Sequence, residues 1–271
     1  HSITLFPIVP FLRFLGIKVI SVDHTPNATK SRIEWLAIKL LRWFSNTQVY
    51  LTKEQYEDTK ERFGEQFFKK GNPVIINNGI DTNKFKANSP YQFSAPYRLM
   101  MLARFSNTKD FQTIINAVKI LKGRNLPEFQ VYFAGDGETF EECRSLSKEL
   151  SVDNQITFLG MQPEMVLLDY LQKTHLYIHS SLSETMSTAI MQAMSCGLPC
   201  LVSDIPGNKA IIKDQVNGWL FETKQAEDLA NKTQLFLEHQ LPVEEMSLNA
   251  RKYAEDHLSM VRMFDNYYKF I

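Results

Sequence analysis

The chain has no charge of one sign to spare: among its 271 residues, 30 Lys and Arg face 30 Asp and Glu. A nucleic-acid binder would carry a basic excess and a solvated tail a strong net charge, so neither class is expected, nor is a nucleic-acid partner. Cysteine is scarce and odd in number. Cys143, Cys196 and Cys200 form no Cys-x-x-Cys pair, which argues against a zinc site and favours a reducing compartment. No apolar run reaches the roughly 20 residues that a membrane span needs. The best stretch, residues 3–22, is cut by Pro7, Pro10, Arg13, Gly16 and Lys18. A signal-peptide n-region is missing, and the chain opens on His1 rather than Met, so a fragment of a longer protein is expected. There is no Asp-x-Asp pair. The one glycine-rich turn, Gly135-Asp136-Gly137-Glu138-Thr139-Phe140, lacks the third glycine of the dinucleotide fingerprint, and no acid ends the next predicted strand. A dehydrogenase is therefore disfavoured, and a tight turn near a nucleotide is the better reading of that segment.

What is present is an apolar fraction of 44%, enough for the core of one or two domains. From residue 98 onward, short apolar runs alternate with segments of helical period. Strands are predicted at 99–103, 130–134, 156–159, 176–179, 200–202 and 219–221. Helices are predicted around 111–121, 138–150, 164–172 and 186–194. Phe111, Ile114, Ile115, Val118 and Leu121 show the period most clearly. This alternation predicts an α/β fold, a doubly wound parallel sheet covered on both faces, with ligands beyond the carboxyl ends of the strands. Residues 1–86 carry a partial version: helices around 5–15, 30–44 and 53–63, and strands at 18–22, 48–51 and 73–76, with Gly64 placed to end the third helix. Three strands are too few for a complete domain of this type, so the N-terminal domain is expected to be incomplete. That part holds 13 basic and 8 acidic residues, a bias towards a phosphate-rich or membrane-facing partner. Residues 87–97, with Ser89, Pro90, Ser94 and Pro96, read as a linker.

Three segments carry the chemistry. In the first, Ser180-Ser181-Leu182-Ser183-Glu184-Thr185-Met186-Ser187-Thr188 follows a buried strand and leads into a helix. An acid followed by the unsatisfied amides of a helix start can bind a ligand with an anionic end; an ordinary helix capped by Ser183 or Glu184 fits the pattern equally well. In the second, Arg104 and Lys109 flank a short loop at the end of the 99–103 strand. A guanidinium fork and a mobile ammonium can straddle a diphosphate, although isolated surface cations would look the same. The third is the Gly135 turn.

Taken in order, these segments resemble the family 4 retaining glycosyltransferases of the GT-B fold. The resemblance rests on Asn77-Asn78-Gly79-Ile80-Asp81 with Phe85, Ala103-Arg104 with Lys109, and Ala134-Gly135-Asp136-Gly137. It continues through Phe158-Leu159-Gly160, Ser181 with Glu184, Ala193 to Pro199, and Ser203-Asp204-Ile205-Pro206-Gly207. It implies two Rossmann-like domains: residues 1–86 on the acceptor side, incomplete, and residues 98–256 binding the donor. Residues 257–271 would form a helix returning to the first domain. It further implies a UDP- or GDP-sugar donor and a glycan or lipid-linked acceptor, with no metal or other cofactor, in bacterial surface polysaccharide synthesis. On this resemblance Arg104 and Lys109 hold the diphosphate and Glu184 the sugar hydroxyls. The amides of Met186, Ser187 and Thr188 face the distal phosphate, Gly160 and Met161 lie against the base, and His24 faces the sugar. No protein nucleophile is required. The family's second acid, eight positions beyond the first, is Gln192 here, and the glycine that often follows the first acid is Thr185.

The expected location is the cytoplasm, with peripheral contact on the cytoplasmic face of the inner membrane. In the helix around 30–44, Ile33, Leu36, Ala37, Leu40, Leu41, Trp43 and Phe44 read as the buried face. Trp35 and Ile38, with Lys39 and Arg42, read as the outer one, suited either to a membrane interface or to ordinary surface. Two other activities stay open: a sugar-nucleotide binder without catalysis, suggested by Gln192, and a sugar-nucleotide epimerase, which would need more acid–base groups than His24 supplies.

Overall fold

The computed structural model describes residues 8–69, 72–87 and 93–270. Two parallel sheets organise it. The larger has six strands, β4 (Tyr97–Leu102), β5 (Phe129–Ala134), β6 (Ile156–Gly160), β7 (Leu176–His179), β8 (Cys200–Ser203) and β9 (Trp219–Phe221). They lie in the order β6-β5-β4-β7-β8-β9. Strand order therefore reverses between β4 and β7. The crossovers leave on opposite faces there, opening a crevice beyond the carboxyl ends of these two strands. Side chains alternate along β4: Leu99 and Met101 enter the core on one face, and Met100 enters the core on the other with Tyr177, Cys200 and Val202. Burial on both faces is why these strands read as continuous apolar runs.

The helix Phe111–Lys122 covers the first face with Phe111, Ile114, Ile115, Val118 and Leu121, and Asp110 caps it by accepting from the Thr113 amide. That cap fixes the chain direction directly after Lys109. Beyond residue 221 two further helices, Ala226–Leu237 and Val243–His257, were not anticipated from the sequence. Elsewhere boundaries moved by one or two residues. The predicted helix at 138–150 runs Phe140–Glu149, and the one expected from 186 begins at Thr188.

The smaller sheet pairs β1 (Ile20–Asp23), β2 (Thr47–Tyr50) and β3 (Asn72–Ile75) in that order. The first predicted helix is Val9–Phe14; residues 5–7 of that expectation lie outside the described residues, as do linker residues 88–92. The helix Lys53–Phe63 ends at Gly64, whose φ is 79°. The helix Arg32–Phe44 opens with a capping box between Ser31 and Glu34; its burial meets the sequence expectation at Ala37 and Leu41 and reverses it at Ile33, Trp35, Leu36, Ile38 and Trp43. Trp35, Ala37, Ile38 and Leu41 are buried, whereas Ile33, Leu36 and Trp43 are exposed. The reason is aromatic packing that no local period reveals. Trp35 meets Phe63 edge-on at 5.6 Å, and the Arg62 guanidinium covers its ring at 4.5 Å.

The two parts meet through residues 76–86. Ile80 and Phe85 are buried in the core of the large sheet, and Arg251 Nη1 donates to the Thr82 and Phe85 carbonyls at 3.0 and 2.9 Å. The last helix, Met260–Tyr268, returns to this connector: the Ile80 amide donates to the Leu258 carbonyl at 2.7 Å, and the Gly79 amide meets Met263 Sδ. Phe264 and Tyr268 on this helix are exposed. Residue 271 lies outside the described residues. No helix among the described residues is long and apolar enough to cross a membrane.

Candidate functional site

The crevice at the β4–β7 reversal gathers most of the residues singled out in the sequence. The loop after β4 carries Arg104, which is exposed and, among the described residues, forms no hydrogen bond or ion pair. Its backbone is held by the Gly135 turn. Phe105 N–H donates to the Asp136 carbonyl at 3.0 Å, and Phe105 pairs with Gly137 as an isolated bridge. Gly135 has φ 129°, and a Cβ there would lie 2.9 Å from the Ala103 carbonyl carbon. Its glycine is thus required by the close approach of the Arg104 loop and not by a dinucleotide.

The loop after β7 carries Glu184. Three hydrogen bonds bind it to the Arg104–Lys109 loop: the Asp110 amide to the Ser180 carbonyl at 3.2 Å, the Leu182 amide to Thr108 at 2.9 Å, and Ser181 Oγ to Thr108 at 3.0 Å. From the other side, Ser203 Oγ accepts from the Ser181 amide at 3.0 Å and donates to the Ser181 carbonyl at 2.8 Å. Gly207 lies against the Glu184 backbone so closely that a Cβ would overlap its carbonyl oxygen and stand 2.5 Å from its carbonyl carbon.

At the centre, Lys109 Nζ donates to Glu184 Oε1 in an ion pair whose side chains are 19% and 12% exposed. His179 Nε2 donates to the same oxygen at 2.7 Å. Sequence reasoning used His179 only as the end of a strand; its position two residues after Tyr177, inside an otherwise apolar run, was the available signal. Burial alone would raise the Glu184 carboxyl, but the hydrogen bond from His179 and the charge and hydrogen bond of Lys109 outweigh it and hold the carboxyl at about 2. Burial pushes the His179 imidazole below the usual histidine range. Glu184 caps no helix. The helix Thr188–Ser195 starts at Ser187, which makes no side-chain cap bond, so its first-turn amides lack one. Met186 precedes this start and its side chain is buried, Sδ accepting from the Asn78 amide at 3.3 Å. Ser187 is buried too, and Thr188 is exposed at the helix start. Gln192 follows Thr188 by four residues and so shares its helix face.

Two expected residues lie further out. Gly160 ends β6 with φ 67° and Met161 is 76% exposed. β6 is two strands from β4, so they line the same edge of the sheet about 10 Å away, at about 4.8 Å per strand. His24 is exposed on the three-stranded part, and its carbonyl accepts from Thr185 Oγ1 at 2.9 Å, beside a cleft that Glu184 and Thr185 line. Thr185, where backbone freedom was expected, needs no positive φ.

The family model described as Glycosyl transferases group 1 matches residues 83–257. The lipopolysaccharide 1,6-galactosyltransferase of Salmonella typhimurium is 31% identical over 108 residues, 39% of this chain and 30% of that protein. The UDP-Gal:alpha-D-GlcNAc-diphosphoundecaprenol alpha-1,3-galactosyltransferase of Escherichia coli is 27% identical over 168 residues, 58% of this chain and 43% of that protein. The matched segments thus span less than half of these relatives. Anabaena Alr3699/HepE, solved in complex with UDP and glucose, superposes with a TM-score of 0.85 at 18% identity, over 99% of this chain and 75% of that one. The fold is α/β of the GT-B type, with Rossmann-like parallel sheets.

Proposed function

The chain belongs to the Glycosyl transferases group 1 family, and on that footing we propose that it transfers a sugar, with retention, from a UDP- or GDP-sugar to a glycan or lipid-linked acceptor in bacterial surface polysaccharide synthesis. The observation that carries this reading is the meeting of exposed Arg104, Lys109, Glu184 and the uncapped start of Thr188–Ser195 at the strand-order reversal. An anionic group in that crevice meets a guanidinium fork, an ammonium with two N–H donors left after Glu184, and the positive end of a helix.

In this reading Arg104 and Lys109 take up the charge that develops on the departing nucleoside diphosphate as the anomeric C–O bond breaks. Preorganised donors of this kind are each worth about 3–4 kcal/mol. The acceptor hydroxyl attacks from the face the phosphate leaves, its oxygen forms the new bond, and its proton passes to the departing phosphate oxygen. Glu184 accepts from a sugar hydroxyl, Thr188 offers its amide to the distal phosphate, and Gln192 accepts from the ribose. Gly160 and Met161 reach the base, and their separation from β4 suits the length of a nucleoside. His24 faces the sugar from the other wall. No metal takes part. The names of the relatives support a galactosyl or related hexosyl group and a lipopolysaccharide or diphosphoundecaprenol-linked acceptor.

Incubation with UDP-galactose, UDP-glucose and GDP-mannose, followed by proton NMR of the anomeric signal, tests the reading. It expects consumption of one donor and a product with the donor's axial anomeric configuration. An equatorial product would refute retention, and a donor bound without turnover would favour the binding-only alternative that Gln192 suggests.

A further inference from the structure

The proposed chemistry leaves one buried ionisable group without a part. His179 ends β7, is fully buried, and donates from Nε2 to Glu184 Oε1 at 2.7 Å. The groups facing it are Glu184, Tyr177 with its hydroxyl 3.3 Å from Nδ1, and Ser187 with its hydroxyl 3.5 Å from Nε2; Lys109 meets it through Glu184. The carboxylate acceptor assigns the proton to Nε2. Both donors on Glu184 use Oε1, and among the described residues none reaches Oε2. Glu184 lines the cleft. One oxygen is therefore held and the other is left for a ligand.

The two donors differ in what they can do. Lys109 is a mobile point charge, and a diphosphate in the crevice competes for it. The His179 imidazole is packed at a strand end and has no such alternative. Being neutral, it fixes the carboxylate without cancelling its charge, so Oε2 keeps its strength as an acceptor for a charge-assisted hydrogen bond. We infer that His179 is a positioning residue that holds Glu184 through Oε1 and turns Oε2 to a hydroxyl of the donor sugar. This rests on the reading of Glu184 as a ligand of the donor sugar.

Calorimetric titration of UDP, UDP-glucose and UDP-galactose against the wild-type chain, His179→Leu and His179→Gln tests it, with GDP and GDP-mannose as the second nucleotide series. Leu removes the donor at similar volume, and Gln restores an N–H near the position of Nε2. The expected result is nucleoside diphosphate affinity within about twofold in all three, a loss of about tenfold for the nucleotide sugar in His179→Leu, and recovery to within about threefold in His179→Gln. Loss of both ligands together, or of neither, overturns the inference. Histidine 15N spectra supply a second readout that needs no ligand: Glu184→Gln should move the His179 ring nitrogens, and an unmoved ring overturns the inference. If the wild-type chain binds no nucleotide while its His179 ring responds to Glu184→Gln, the donor reading fails and the anchoring of Oε1 stands. Unchanged nucleotide-sugar affinity in Glu184→Gln overturns both.

Discussion

Replacing Lys109 by Met keeps the aliphatic bulk beside Glu184 and removes the charge. The carboxylate, 12% exposed, is then left with the single neutral donor His179. Removing one partner of a buried pair costs roughly 3–5 kcal/mol. The pH behaviour gives a figure of the same order: a carboxyl held at about 2 instead of 4.5 corresponds to about 3 kcal/mol at neutral pH, the net of what its two partners supply and what burial costs, so that without Lys109 burial and His179 roughly cancel. The sign follows from the depressed value. This stability is complete above the unfolded carboxyl range and is lost as pH falls from 4.5 towards 2. In Lys109→Met the carboxyl sits higher, is protonated sooner, and has nothing further to lose. Urea unfolding of both proteins should therefore show a gap of about 3 kcal/mol at pH 7, narrowing to about 1 kcal/mol at pH 3. A gap that does not change with pH would refute the claim that Lys109 acts through the Glu184 charge.

Gly207→Ala should destabilise the fold by about 1–3 kcal/mol and weaken nucleotide-sugar binding, because its Cβ has only the Glu184 backbone to displace; thermal unfolding and calorimetry read both, and an unaltered variant would refute the contact. Trp35→Ala should cost about 3–5 kcal/mol and Trp43→Ala less than about 1 kcal/mol, as their burial requires. Equal losses in denaturant titrations would restore the opposite assignment of the helix faces. Gln192→Glu should strengthen nucleotide-sugar binding by about fivefold through a charge-assisted bond to the ribose, and weaker binding would place Gln192 away from it.

The doubly wound sheet was legible because its central strands β4, β7 and β8 are buried on both faces and helices of 3.6-residue period lie between the strands. The Arg104–Lys109 and Ser180–Thr188 segments were legible as loops after strands, and strand order alone brings them together. The helix faces of Arg32–Phe44 were not legible. Its local period points inward through Ile33, Leu36 and Leu40, and Phe63 and Phe67, more than eighteen residues away, hold the Trp35 and Ile38 side instead. His179 escaped notice because its place in an apolar run names no partner; its meaning comes from Glu184, which turns back onto it only once the loop is folded. Nor could the sequence tell that Lys109 is already paired with Glu184 while Arg104 has no partner among the described residues.

The central claim is that the crevice between β4 and β7 binds a nucleoside diphosphate through Arg104 and Lys109. Calorimetric titration of UDP and GDP against the wild-type chain and an Arg104→Ala, Lys109→Ala double variant tests it most directly. The account predicts binding of one of the two nucleotides by the wild-type chain and its loss in the double variant, with the variant still folded by circular dichroism. Binding of equal strength in both proteins would place the nucleotide elsewhere and contradict the account.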